Sequence, residues 1–172
     1  MRRERIVYTR HNGGVSILCP AAEAMAAMSI GGYWDHMPRG YIDTQIDRQI
    51  SAGILPWAAQ RFAHALAFGG HTDAEALCVI RDRDSAHLGT AHELLDMDEI
   101  PHDRWFRDAW RRSHNGGPIY ISMPEARRMQ MERVKRAAKD IDLKLDLWRA
   151  RIRRAETPEA LKQVWPKGLR HV

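Results

Sequence analysis

Nine histidines, two cysteines and twenty-two carboxylates supply the residue types from which metal and acid–base sites are built, so their spacing decides what they could do. His92-Glu93 opens like a zinc-protease helix, but the second histidine that such a site needs four positions later is replaced by Asp96. His64 and His71 are separated by Gly69-Gly70, and a glycine pair breaks the helical register that would converge two rings on one ion. His11 and His114 each precede Asn-Gly-Gly. Histidine beside asparagine in a hairpin suits metal-dependent nuclease chemistry, which also requires a metal-binding histidine on the next helix; neither 20–28 nor 124–141 contains one. Cys19 and Cys78 lie far apart in apolar patterns and read as reduced core thiols. Phosphate loops, nucleophile elbows and paired-cysteine motifs are absent from the sequence. The expectation is therefore no catalytic residue, no metal and no cofactor. The one cluster that loops could assemble is His64, His71, Asp82 and Asp84.

Charge points toward binding. Residues 1–123 carry thirteen Lys and Arg against fifteen Asp and Glu, whereas residues 124–172 carry fourteen against seven. Arg149, Arg151, Arg153 and Arg154 are candidate phosphate contacts, or else the solvated face of a helix whose field Asp140, Asp142 and Asp146 dilute. Trp105, Phe106 and Trp110 read as apolar anchors for a hairpin. Mean hydropathy is −0.51, and the longest stretch nearly free of charge, 21–34, is shorter than the roughly 20 apolar residues of a membrane span. With no leader-like opening, the expected location is a cytoplasm, with no membrane partner.

The elements that must hold these residues follow from turn chemistry and periodicity. Residues 5–10 and 15–19 flank Asn12-Gly13 and form a hairpin. Residues 106–110 and 119–123 repeat the pattern around His114-Asn115-Gly116-Gly117. A short helix after Pro20 ends at Gly31-Gly32. Between the hairpins, at about 31–88, comes an insert of three helices. Ile42, Ile46 and Ile50 mark the first; Ala58, Ala59, Phe62, Ala65 and Leu66 mark the second; the capping box Thr72-Asp73-Ala74-Glu75 opens the third, with Ala74, Leu77, Cys78 and Ile80 apolar. Residues 92–96 read as a strand. From residue 131, Met131, Val134, Ala138, Ile141, Leu145, Trp148, Ile152 and Ala155 step by three and four along one long amphipathic helix. Thr157-Pro158 caps a last short helix. The fold class is α+β: two β-hairpins, a three-helix insert and a long C-terminal helix. A mixed segment, 1–123, precedes a helical one, 124–172. The seam is the expected interaction surface, docking on a second copy or on its own domain.

The stretches RIVYTRHNGGVSILCPAAEA (5–24), DEIPHDRWFRDAWRRSHNGGPIYISMPEARRM (98–129) and TPEALKQVWP (157–166) together resemble a family of small proteins of proteobacterial phages and prophages, often encoded among tail or tail-fibre genes. The insert is longer here than in those relatives, and the usual ARAP break after Pro124 is missing. The resemblance implies a phage-derived structural or tail-assembly protein that associates with itself or with another phage structural protein. It implies the host cytoplasm or the virion as the location, and it transfers no catalytic residue. The alternative is a nucleic-acid-binding regulator that uses the insert and the basic C-terminal helix.

Overall fold

Asn12 and Gly13 turn the chain as their chemistry predicts. In the computed structural model, which describes residues 4–138 and 145–168, β1 (Glu4–Arg10) pairs antiparallel with β2 (Val15–Leu18). Gly13 closes the turn at φ 77°. β3 (Gly89–Asp96) pairs with the other edge of β1, giving the order β2-β1-β3. As the central strand, β1 has both faces covered. Ile6 packs with Met25, Met28 and Phe62, while Val7, on the opposite face, packs with Val15, Ile100 and Trp110.

β4 (Trp110–Ser113) and β5 (Gly116–Ile121) form the second hairpin. The matching His-Asn-Gly-Gly sequences make different turns. The first spans from Arg10 to Gly14, whereas Ser113 pairs directly with Gly116 and leaves only His114-Asn115 at the tip. The strand expected from residue 106 begins at Trp110, after a 3-10 turn over 107–109. Phe106 and Ala109 are both fully buried in one cluster. Residues three apart cannot share a face in a strand, but a turn brings them together.

α1 (Ala22–Ile30) follows the first hairpin, and the insert folds as α2 (Tyr41–Ser51), α3 (Pro56–Phe68) and α4 (Asp73–Asp84). The isoleucine stripe of α2 packs on Ala59 and Ala63, and the expected inner face of α3 is buried. The capping box of α4 forms through Thr72 and Glu75. Its apolar phase differs from expectation. Ala76, Leu77, Val79 and Ile80 are buried, Ala74 is exposed and Cys78 is half-buried, because the first turn of α4 projects into solvent. Cys19 is also exposed, beyond the end of β2.

The long C-terminal helix is two helices. α5 (Met123–Ala137) and α6 (Leu145–Arg154) lie side by side, with α7 (Pro158–Lys162) against α5. One continuous helix would separate residues 127 and 155 by roughly 42 Å, yet the Arg127 guanidinium donates to the Ala155 carbonyl at 2.8 Å.

Candidate interaction surfaces

At their C-terminal ends, α1 and α3 cross through their glycine pairs. Gly32 and Tyr33 N–H groups donate to Ala67 and Leu66 carbonyls, and Gly70 and His71 N–H groups donate back to Ser29 and Met28. Each helix thus caps the other's last carbonyls. The crossing needs glycine: a Cβ on Gly69 would sit 2.3 Å from the Gly31 nitrogen. Because backbone meets backbone there, the preceding side chains are turned outward. Ile30 is 81% exposed and Phe68 72% exposed. Beside Ile30 opens a cavity of about 520 Å³ walled by Ala22, Met25, Ala26 and Leu77.

A buried arginine joins the second hairpin to β3. Arg112 is enclosed, and its guanidinium donates to the carbonyls of Gly117 (2.6 Å) and Ala91 (3.0 Å) and pairs with Glu93. Three directions are satisfied at once, which suits the rigid guanidinium fork. Ala91, at φ 50°, is the residue with positive φ besides glycine among those described. Thr9, also buried, donates to Ser113 O at 3.0 Å.

The C-terminal core takes Phe106 and Ala109 from outside the helices and packs them with Ala126, Val134, Ile152, Ala155 and Leu161. Buried Gln130 accepts from Trp105 Nε1 at 3.1 Å and donates to the Val164 carbonyl at 2.9 Å. Arg133 lies 4.5 Å above the Trp105 ring and donates to the Trp105 carbonyl; burial pulls its pKa below the ordinary arginine value. Lys162 pairs with Asp103, and that hydrogen bond, with one from the Trp105 N–H, holds the Asp103 carboxyl below its ordinary pKa.

Within this core the seam closes inside the chain. Val134, Ala138 and Ile152 are buried, and Met131, Leu145 and Trp148 are half-buried; Ile141 lies outside the described residues. Of the two docking modes expected for the seam, packing on its own domain is the one observed. The arginine run splits around α6. Asp146 pairs with Arg149 at 2.9 Å on one flank, where Arg153 is also placed, whereas Arg151 and Arg154 line the flank facing α7. There an open groove of about 700 Å³ runs between α6 and α7. Trp148 and Trp165 supply its aromatic lining, the Arg151 guanidinium is 4.9 Å from the Trp148 ring centre, and Lys167 also lines it.

His64, His71, Asp82 and Asp84 do not converge. His64 meets Phe68 edge-on, and His71 Nδ1 is 3.0 Å from the Gly69 carbonyl. Asp82 is held by Arg61 and Arg81, and Asp84 by Arg83. His92 stacks on Tyr8 and meets the Ser85 carbonyl at 2.8 Å, and His11 and His114 are exposed. Among the described residues no three His, Cys, Asp or Glu side chains are grouped to hold a metal, and no helix is long and apolar enough to cross a membrane. Sequence reasoning missed Ile30 and Phe68, though both carry a signal: a large apolar residue directly before a helix-ending glycine pair. It also missed Arg112 and Gln130, whose burial only the packing creates. Comparison of the chain with protein-family models, curated proteins and solved structures finds no match.

Proposed function

We propose that this protein acts by association, as a structural or assembly component of phage or prophage origin, and that the Ile30–Phe68 surface receives its protein partner. The phage setting rests on the resemblance of the three sequence stretches. The observation that carries the binding role is the pair of large apolar side chains, 81% and 72% exposed, that flank the glycine crossing. Burying both in a contact would remove apolar area worth about 1.5–3 kcal/mol per side chain. The partner is a second copy or another component of the particle. Light scattering on the purified chain distinguishes them: self-association gives a multiple of the 19.8 kDa chain mass, lost in an Ile30→Asp, Phe68→Asp variant. If the chain is a monomer, deleting its gene from the phage that carries it should reduce the yield of complete particles, and the same double variant should not restore it. A monomer whose deletion leaves particle yield and infectivity unchanged would refute the reading.

A second reading, nucleic-acid binding, is favoured by the arginines on the α7-facing flank of α6, and its site is argued next.

A further inference from the structure

We propose that the groove between α6 and α7 binds single-stranded nucleic acid, with Arg151, Arg154 and Lys167 meeting phosphates and a base stacking on the outer face of the Trp148–Arg151 pair.

The first support is how the cations are used. Several cations elsewhere pair with carboxylates, Arg61 and Arg81 with Asp82, Arg83 with Asp84, Arg111 with Glu125, Arg112 with Glu93 and Lys162 with Asp103, and Arg127 and Arg133 donate to backbone carbonyls. Arg154 and Lys167 have no polar partner among the described residues, and the contact of Arg151 is with the ring of Trp148. Among the described residues no carboxylate lines the groove. Three cations around one apolar cleft, uncompensated, form a site for an anion from outside the chain.

The second support is the stacking surface. Arg151 is exposed, and its guanidinium lies 4.9 Å from the centre of the Trp148 indole, so a planar cation and an aromatic ring stand side by side on the groove wall. Bases stack on guanidinium planes as they do on aromatic rings. Ala155 and Ala160, small residues, also line the cleft, which leaves room for a flat group to approach. Its volume of about 700 Å³ falls in the range of about 300–1,000 Å³ typical of small-ligand clefts.

Two features favour a polynucleotide over an acidic peptide. The excess of positive charge extends over all of 124–172, a longer field than one anchored side chain requires. A carboxylate also gains nothing from a planar pile. A paired duplex, in turn, keeps its bases stacked inside and cannot offer one to Arg151.

The test uses the full chain and fluorescence anisotropy with three probes: a labelled oligothymidylate of about twenty nucleotides, its duplex with oligoadenylate, and polyglutamate of matched charge. Oligothymidylate should bind about tenfold more tightly than either alternative, and affinity should fall steeply with salt. Arg151→Glu with Arg154→Glu should weaken it by about thirtyfold and reduce the salt slope by about two, while Arg149→Glu with Arg153→Glu on the opposite flank should cost about threefold or less. Arg151→Lys, which keeps the charge and removes the plane, should lose about three- to tenfold with the salt slope unchanged. Each variant is compared after circular dichroism shows an unaltered melt; if the double variant fails to fold, Arg151→Lys and the three-probe comparison decide. Equal binding of duplex or polyglutamate, no loss in Arg151→Lys, or no binding at low salt would overturn the proposal, and none of these touches the Ile30–Phe68 surface.

Discussion

Arg112 shows what a single residue holds in this molecule. Its guanidinium reaches two backbone carbonyls and one carboxylate in an enclosed position, so removing it leaves buried acceptors without donors. Arg112→Met should cost about 3 kcal/mol in urea unfolding. Arg112→Lys should recover little of that, since one ammonium cannot span three directions. Full stability in the methionine variant would show that the second hairpin stays on β3 without the arginine. Asp103 makes a milder, titratable contact. Its folded pKa is lowered, first by Lys162, so its contribution is present above the unfolded value of about 3.8 and is lost as pH falls through the lower folded value. Asp103→Asn should therefore destabilise at neutral pH and flatten the acid limb of the stability curve. Urea titrations at several acidic pH values read both effects.

At the scale of elements, the α1–α3 crossing separates two costs that glycine usually hides together. Gly69 and Gly53 both have positive φ, 67° and 91°, but a Cβ on Gly69 would strike the backbone of α1 and its cap, while one on Gly53 meets nothing within 4 Å. Gly53→Ala should lose about 1–2 kcal/mol, the left-handed penalty. Gly69→Ala should lose at least about 2 kcal/mol more, because helix ends tied by four hydrogen bonds must part. Equal thermal shifts in the two variants would mean that the crossing gives way easily. The same backbone contact is what aims Ile30 and Phe68 outward, so Gly69→Ala should also weaken association.

For the whole molecule, the packing places a boundary question. The helices after residue 124 share a core with Phe106 and Ala109, and Gln130 bonds to Trp105. A fragment of residues 124–172 loses those partners and should melt without cooperativity by circular dichroism, since its remaining apolar faces enclose too little core. A sharp transition in that fragment would make the C-terminal helices an independent unit. The proposed surfaces stand on different elements, Ile30–Phe68 at the α1–α3 crossing and the basic groove at α6 and α7. Variants at one should leave binding at the other unchanged, and their stability effects should add within about 0.5 kcal/mol.

Local rules were enough for the first hairpin with the positive φ of Gly13, the capping box at Thr72 and the stripes of α2 and α3, because each depends on residues within a turn or two of one another; they gave the second hairpin without its strand bounds or its turn. The seam from Met131 to Ile152 was legible as an apolar stripe, but its partner was not: a heptad pattern states that a face needs covering, and says nothing of whether the chain folds back to cover it. Only the tertiary structure decided that Val134 and Ile152 meet each other and Phe106. It also decided which arginines of 149–154 are neutralised and which are open, since Asp146 and the groove lie on opposite flanks of α6. Which faces of separate helices end up beside one another is set by the packing of distant segments, and no spacing along one segment records it.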